Sequence, residues 1–249
     1  MGVKEEFNLS GRRVLLTGGS RGLGQAMAEG LAGAGASIVT VARTATEGSA
    51  DGLIQTVQAD VAELGALPAL VDRAEEMLGG HVDTVVHAAG AQHRSPAASF
   101  PPEEWQRLVT INLTAPFALS QEIGRRQLDR SEPGSHIFIA SLMSHIGLPN
   151  LAAYAATKSG VMGVVRTLAV EWAASGIRVN ALGPGYFRTT LTEALFQDEA
   201  ARERLYQRIP MQRFGQPVDL GGPVVFLASD ASRYVTGQLL MVDGGWTAG

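Results

Sequence analysis

The chain has 249 residues, 45% of them hydrophobic and 18% charged, which is enough for one large α/β domain with a sizeable core. Its net charge of −4 and pI of about 5.7 give no basic field for nucleic acid or for an anionic membrane. The absence of cysteine excludes disulfides, thiolate catalysis and cysteine metal sites. No apolar run reaches about 18 residues and residues 1–10 lack a signal-peptide core, so we expect a soluble cytoplasmic protein.

Short apolar runs alternate with helical patterns along the whole chain. Predicted strands lie at 14–16, 37–42, 54–58, 82–87, 136–140, 177–181 and 238–242. Predicted helices lie at 25–34, 63–78, 102–128, 151–174 and 217–228, with an irregular, partly helical stretch at 183–214. Pro116 should kink its helix or mark a packing feature. Because the strands are continuous apolar runs, both faces of the sheet should be covered, which predicts a single-domain, doubly wound parallel sheet of Rossmann type.

A glycine-rich turn follows the first predicted strand and leads into the first predicted helix. It reads Thr17-Gly18-Gly19-Ser20-Arg21-Gly22-Leu23-Gly24. A strand, a glycine turn and a helix present backbone N–H groups and a helix N-terminus to a phosphate, and any side chain there would hold the ligand away. The spacing T-G-x-x-x-G-x-G differs from the common G-x-G-x-x-G fingerprint. Taken alone, the motif is also compatible with an ordinary strand–helix turn.

Three side chains later in the chain form a candidate acid–base group. Tyr154 and Lys158 lie four apart in a helical pattern and share one face, and Ser141 closes the fifth predicted strand. A nearby ammonium group favours the phenolate form of tyrosine, whose ordinary pKa is about 10. A serine hydroxyl can hold a substrate oxygen beside the phenol. Together they suit the interconversion of an alcohol and a ketone, with a cofactor carrying the hydride.

These motifs occur with others, and the sequence resembles the short-chain dehydrogenase/reductase family over essentially its full length. The matching residues are the glycine turn, Asp60, His87-Ala88-Ala89-Gly90, Asn112, Ser141, Tyr154-Ala155-Ala156-Thr157-Lys158, Pro184-Gly185, Thr189 and Val242-Asp243-Gly244-Gly245. The combination is far more specific than any of its parts.

The resemblance implies a role for each catalytic candidate. Tyr154 is implied to be the general acid/base, and Ser141 to polarise the substrate carbonyl. Lys158 is implied to bind the nicotinamide ribose and to lower the tyrosine pKa, and Asn112 to hold a water molecule that links Lys158 to solvent.

The resemblance also implies a cofactor site. Asp60 would accept from the adenine amino group with Val61 packed nearby, and Pro184, Gly185, Phe187 and Thr189 would line the nicotinamide side. The other candidate cofactor-binding residues are Gly18, Ser20, Arg21, Gly22, Leu23, Gly24, Arg43, Ala88, Ala89, Gly90, Tyr154 and Lys158.

One motif departs from the family pattern. The family has Asn-Asn-Ala-Gly where this chain has His87-Ala88-Ala89-Gly90. Ala88 cannot make the hydrogen bonds of an asparagine side chain, so any such bracing of the sheet is lost or replaced. We interpret His87 as a hydrogen-bonded structural histidine rather than a catalytic one.

The end of the second predicted strand bears on the choice of cofactor. An NAD enzyme usually has Asp or Glu there for the ribose 2′-hydroxyl, whereas this chain has Val41-Ala42-Arg43. Arg43 could pair with a 2′-phosphate, and Arg21 is a second candidate, because guanidinium matches phosphate in geometry. The sequence therefore favours NADP over NAD, with two solvated arginines as the alternative interpretation.

The substrate is less clearly indicated. Stretches 92–96, 209–215 and 244–246 look most like the sugar-acid branch of the family, which includes gluconate 5-dehydrogenases and 2-deoxy- or 2-keto-3-deoxygluconate dehydrogenases. A sugar acid needs a cation for its carboxylate and donors for its hydroxyls. The candidate substrate-binding residues are Gln92, Arg94, Ser144 and His145, beside Ser141 and Tyr154, although the first four are equally compatible with solvated loop positions. Residues 186–214 are predicted to close as a lid.

The helices at 102–128 and 151–174 carry more apolar surface than one sheet face needs, which with the resemblance predicts a homotetramer, or else a dimer. Alternative functions are reduction of a 3-oxoacyl thioester or a keto-polyol, and a cofactor-binding regulatory protein without turnover. We expect no metal site, because the five histidines show no H-x-x-x-H spacing.

Overall fold

The computed structural model describes residues 2–44, 48–188, 197 and 199–249. Within them one parallel sheet has the strand order β3-β2-β1-β4-β5-β6-β7. The strands are β1 (Arg13–Thr17), β2 (Ser37–Ala42), β3 (Ile54–Gln58), β4 (Thr84–His87), β5 (Gly134–Ile139), β6 (Ile177–Pro184) and β7 (Leu239–Val242). The α-helices are α1 (Val3–Glu6), α2 (Gly22–Gly33), α3 (Leu67–Leu78), α4 (Pro102–Val109), α5 (Ala115–Arg130), α6 (Ala152–Trp172), α7 (Glu199–Tyr206) and α8 (Gly221–Ala228).

The predicted doubly wound parallel sheet is confirmed. Successive residues of the central strands point to opposite faces, and both faces are apolar. Leu16 of β1 packs in a buried cluster with α2 and α8, whereas Leu15 packs with α3 and α5 on the other face. Each fully buried leucine contributes about 2 kcal/mol through removal of its apolar surface from water. The continuous apolar runs in the sequence therefore reflect helices on both sides.

The strand order reverses beside β1, where β2 lies on one side and β4 on the other. In an open parallel sheet, such a switch point opens a crevice at the carboxyl ends of the strands. The glycine turn after β1 and the loop after β4 both leave the sheet there. The fold thus brings together two segments about seventy residues apart in sequence.

Several helix boundaries differ from the prediction: α3 begins at Leu67 rather than at residue 63, and α8 begins at Gly221 rather than at residue 217. Helix α2 begins at Gly22 rather than at residue 25, so the last glycines of the turn belong to its first turn. The predicted helix over 102–128 is interrupted by a single π-helical turn, Thr110–Thr114. Pro116 explains the interruption, because it has no N–H for the regular bonding pattern, and Ala115 N donates to the carbonyl of Thr110, five residues back.

No helix in the described part of the chain is both long enough and apolar enough to cross a membrane.

Strand β6 runs to Pro184, three residues beyond its predicted end, and Pro184 pairs with Val242 of β7. The residues after Pro184 therefore leave the sheet on the same edge as the glycine turn.

Candidate active site

The glycine turn packs directly against the loop after β4. Gly18 has φ +74, and a Cβ atom there would lie 2.7 Å from the backbone nitrogen of Ala89. Thr17 Oγ1 accepts a hydrogen bond from that same nitrogen at 3.2 Å. Backbone atoms cannot move aside as a flexible side chain can, so only glycine fits at position 18.

The turn ends at the N-terminus of α2, and its shape suits a phosphate group. Gly22 has φ +58 and a Cβ on Gly24 would lie 2.1 Å from the carbonyl oxygen of Gly18, so the turn is tight and free of side chains. The first-turn N–H groups of a helix have no intrahelical acceptor and carry partial positive charge. Ser20, Arg21 and Leu23 flank this cradle, Arg21 with an exposed side chain. The residues present therefore fit a dinucleotide pyrophosphate.

The predicted adenosine side lies beyond β2 and β3. Arg43 follows β2 directly and is exposed, and its carbonyl accepts from Gln58 Nε2 at 3.0 Å. Asp60 is exposed and its Oδ1 accepts from Ala62 N at 2.9 Å, while Val61 packs against the cluster under α3. Among the described residues, neither Arg21 nor Arg43 has an ion-pair partner, so both guanidinium charges can face a phosphate.

The three predicted acid–base side chains come together at the carboxyl end of β5. Tyr154 and Lys158 lie on one face of α6, with Lys158 Nζ 5.7 Å from the centre of the Tyr154 ring. Lys158 Nζ donates to the Ile139 carbonyl at 2.6 Å. Ser141 caps the short 3-10 turn Leu142–Ser144, and its hydroxyl lies close enough to the Tyr154 phenol to lower the pKa of that phenol. The serine and tyrosine hydroxyls therefore converge, as a substrate oxygen held between them would require.

Burial shifts both titratable groups of this cluster. Burial raises the pKa of Tyr154, and the nearby Ser141 hydroxyl acts in the opposite direction with smaller effect. Burial lowers the pKa of Lys158 to about 8. The sequence predicts that Lys158 lowers the tyrosine pKa, whereas in this structure desolvation has the largest effect on Tyr154. Most Lys158 side chains keep their charge at pH 7, because the shifted pKa is still above it.

Asn112 lies in the π-helical turn and fastens the loop after β4. Its Oδ1 accepts from Ala91 N and its Nδ2 donates to the Ala91 carbonyl, both at 2.9 Å. Its Nδ2 is also 3.3 Å from Thr157 Oγ1 on α6. The side chain therefore joins the loop that contains Ala88, Ala89 and Gly90 to the helix that carries Lys158. Its role in holding a water molecule remains a prediction.

The predicted nicotinamide side lies at the ends of β6 and β7. Gly185 N donates to the Val242 carbonyl at 3.0 Å, and a Cβ on Gly185 would lie 2.6 Å from Asp243 Cα. The side chain of Phe187 is buried, with its ring against Gly215. Thr189 lies outside the described residues.

His87 takes part in a buried polar chain rather than in the catalytic cluster. Its Nε2 is 2.6 Å from Ser120 Oγ, which is 3.0 Å from Nδ1 of His136. His136 Nε2 is 2.9 Å from Gln127 Oε1, and Gln127 Nε2 donates to the Val82 carbonyl. Burial lowers the pKa of His136 to about 3 and that of His87 well below its usual range, so both are neutral at pH 7. These hydrogen bonds connect β4 and β5 to α5, and they provide bracing that an Ala88 side chain cannot supply.

The other histidines do not form a cluster either. His81 is 3.1 Å from Glu132 and His93 is 3.5 Å from Glu104, both near the surface. Within the described ranges, no group of three histidine or acidic side chains is arranged to hold a metal ion.

The predicted substrate residues are placed unequally. Gln92 is half-buried and Arg94 exposed, both on the loop after β4. Ser144 Oγ donates to the Lys158 carbonyl at 2.8 Å and so is turned toward α6. His145 lines a cavity of about 260 Å³ with Arg208 and Trp246. Arg208 was not singled out from the sequence, because an arginine after a polar helix carries no motif.

Comparisons with known proteins agree with this geometry. A family model described as enoyl-(acyl carrier protein) reductase matches residues 18–247. A 2-dehydro-3-deoxy-D-gluconate 5-dehydrogenase of Bacillus subtilis (strain 168) is 41% identical over 249 residues, covering 98% of each chain. A 3β-hydroxysteroid dehydrogenase of Eggerthella lenta is also 41% identical, covering 96% of this chain and 95% of that protein. The crystal structure of a gluconate 5-dehydrogenase from Burkholderia cenocepacia J2315, in complex with NADP and tartrate, is 38% identical with a TM-score of 0.92, covering 100% of each chain.

Proposed function

The chain belongs to the short-chain dehydrogenase/reductase family, and on that basis we propose that this oxidoreductase uses NADP to interconvert a secondary alcohol and a ketone of a sugar acid. We favour either the pair gluconate and 5-ketogluconate or 2-keto-3-deoxygluconate as the substrate. The observation that carries the reaction is the convergence of the Ser141 and Tyr154 hydroxyls beside the Lys158 ammonium group.

The three side chains divide the proton chemistry. A substrate carbonyl oxygen between Ser141 and Tyr154 accepts a hydrogen bond from each, which polarises the carbonyl. Tyr154 gives its proton to this oxygen during reduction and removes it again during oxidation. The nicotinamide cofactor supplies or accepts the hydride, and its oxidised ring adds a positive charge. Lys158, held on the Ile139 carbonyl, adds a charge that favours the phenolate and opposes the effect of burial on the Tyr154 pKa.

We propose that the glycine turn and the N-terminus of α2 hold the cofactor pyrophosphate, as their tight, side-chain-free shape supports. Asp60 and Val61 take the adenine side, Ala88, Ala89 and Gly90 the adjoining ribose, and Pro184, Gly185, Phe187 and Thr189 the nicotinamide side. Lys158 binds the nicotinamide ribose, and Asn112 holds the loop that contacts the cofactor.

The preference for NADP rests on Arg43, with Arg21 beside it. Arg43 is exposed after β2 and has no carboxylate partner in the described part of the chain, so it can accept a 2′-phosphate. We expect Arg43→Ala to raise KM for NADP about tenfold and to leave KM for NAD within about twofold. Equal catalytic efficiency with both cofactors, unchanged in Arg43→Ala, would contradict the assignment.

The sugar-acid substrate is supported by the names of two of the relatives, whereas the steroid dehydrogenase at equal identity shows that overall similarity does not decide the substrate. The experiment is to follow reduced-nicotinamide absorbance with aldonates, keto-aldonates, polyols, a 3-oxoacyl thioester and a 3β-hydroxysteroid. Tyr154-dependent turnover of an aldonate or keto-aldonate, at far higher kcat/KM than of the others, is expected. Turnover of the thioester or steroid alone would refute the sugar-acid proposal.

We also propose a homotetramer that works in the cytoplasm. Exposed apolar side chains on the predicted interface elements support assembly, with Trp105 on α4, Phe117 on α5 and Val170 on α6 all more than one third exposed. Sedimentation velocity should show one species of four chains.

We also propose that residues 186–214 form a lid over the substrate. A protease should then cleave this stretch in the free protein, and cofactor plus substrate should suppress the cleavage. Equal cleavage in both states would count against the lid.

A further inference from the structure

Arg208 is held in a fixed orientation beside the catalytic cluster. It follows α7, and its guanidinium carbon lies 4.3 Å from the centre of the Trp246 ring. The Tyr186 ring lies against the same tryptophan, with 4.8 Å between ring centres. A guanidinium over an aromatic face is attracted to it and loses conformational freedom, so the charge is positioned before any ligand arrives.

The charge of a second arginine acts on Tyr186 from a different segment. Arg94, on the loop after β4, and Arg208 both act on the Tyr186 hydroxyl, where their charges lower a pKa that burial raises. Two arginines that are far apart in sequence therefore both contribute positive charge at the Tyr186 phenol. Two positive charges that act on one site form a field that favours an anion.

Neither arginine is neutralised by a carboxylate within the described residues. Other arginines of the chain are paired, such as Arg213 with Asp219 at 2.6 Å and Arg107 with Glu104 at 2.6 Å. In those pairs the carboxylate already occupies the guanidinium donors. Arg94 and Arg208 therefore keep their donors free, and Arg208 lines a cavity together with His145 and Trp246.

The tryptophan under Arg208 belongs to the cluster that contains Tyr154. Trp246 and Tyr186 belong to the same packed cluster as Tyr154, Leu142 and Met143, the last two directly following Ser141. A molecule with an oxygen between Ser141 and Tyr154 can therefore extend past Trp246 toward Arg208. The length of a hexonic acid suits such a reach, since its carboxylate and its C5 oxygen lie at opposite ends.

We propose that Arg208, stacked on Trp246 in the cavity that His145 lines, binds the carboxylate of the substrate and makes the enzyme select acids over neutral polyols and ketoses. The inference rests on the proposed sugar-acid function and assigns its specificity to Arg208. Tyr186 and His145 complete the subsite as polar neighbours. The planar fork of Arg208 gives two parallel hydrogen bonds to a carboxylate, which a lysine cannot reproduce.

The test compares a charged substrate with its neutral counterpart. Reduction of 5-keto-D-gluconate and of L-sorbose, which has a hydroxymethyl group in place of the carboxylate, is measured for wild type, Arg208→Gln and Arg208→Lys. Arg204→Gln is the matched control, because Arg204 is an exposed arginine one turn earlier, on α7. Thermal unfolding of each variant checks that the fold is kept.

We expect Arg208→Gln to raise KM for 5-keto-D-gluconate about 10- to 100-fold, with kcat and the constants for L-sorbose changed less than about threefold. Arg208→Lys should give an intermediate KM, and Arg204→Gln should match wild type. An equal loss on both substrates, or an unchanged KM for the acid, overturns the assignment of Arg208 while leaving the sugar-acid function standing. Failure of the wild type to reduce 5-keto-D-gluconate or any other acid overturns the proposed function and this inference with it.

Discussion

Two groups of polar side chains lie beside strand β5, and they differ in how their hydrogen bonds are used. One is the proposed catalytic group, with Ser141 after β5 and with Tyr154 and Lys158 on α6. The other is the histidine chain, which we define as His87, Ser120, His136 and Gln127. The catalytic group has two hydroxyls close together, whereas the histidine chain links one polar side chain to the next and leaves only Nδ1 of His87 without a partner among the described residues.

The direction of hydrogen bonding in the histidine chain can be worked out atom by atom. Because Gln127 Nε2 donates to Val82, its Oε1 accepts from Nε2 of His136. Nδ1 of His136 then accepts from the Ser120 hydroxyl, which in turn accepts from Nε2 of His87. Both imidazoles are therefore neutral Nε2 tautomers. A group with such fixed donors stabilises the sheet, while the catalytic group retains donors for a substrate.

The largest expected effect is on the catalytic group. Tyr154→Phe removes the proton donor and keeps the ring that packs with Leu142 and Trp246, so kcat should fall about 10²- to 10⁴-fold. The midpoint of urea unfolding should change little, because only a hydroxyl is lost. Turnover within tenfold of wild type would show that another group transfers the proton.

Ser120→Ala tests the histidine chain, and it should lower stability rather than turnover. It leaves buried nitrogens of two histidines without their partner, so we expect the free energy of unfolding to fall by about 2 to 4 kcal/mol with kcat little changed. Urea unfolding and initial rates are the measurements. Ser135→Ala is a matched control, since it removes a single hydrogen bond to the Leu227 carbonyl, and a loss as large as that in Ser120→Ala would contradict the importance of the chain.

Acidification should lower the free energy of unfolding through the histidine chain, by less than the Ser120→Ala substitution does. The folded-state pKa of His136 is about 3, below its ordinary value, so between pH 6.5 and 3 the unfolded chain binds a proton that the folded chain does not. Stability from this group is therefore present above pH 6.5 and decreases as the pH falls, by about 2 kcal/mol at pH 5. Urea unfolding between pH 7.5 and 5 should show a smaller decrease in His136→Gln than in wild type.

His81 offers a control for this pH dependence. It lies near the surface beside Glu132, so His81→Gln should keep the acid sensitivity of the wild type. If His136→Gln and wild type lose the same free energy between pH 7.5 and 5, the titration of His136 does not limit acid stability.

The sequence determined those features that are encoded by neighbouring residues. Strands β2 and β3 have their predicted bounds because β-branched runs end at polar residues, and Tyr154 and Lys158 share a face because four residues make about one helical turn. The glycine turn could be located from the sequence because its backbone leaves no room for a side chain at Gly18 or Gly24, so glycine must stand at both positions. His87 could be interpreted as structural because a buried imidazole needs partners.

Only the tertiary structure decided which distant side chains meet. The partners of His87 come from α5 and β5, and no local pattern links Ser120 or Gln127 to a histidine on another strand. The same holds for Arg94 and Arg208, whose charges act on Tyr186 from distant parts of the sequence. Burial likewise raises the Tyr154 pKa where spacing alone predicts a lowered one, because desolvation depends on the whole surrounding structure.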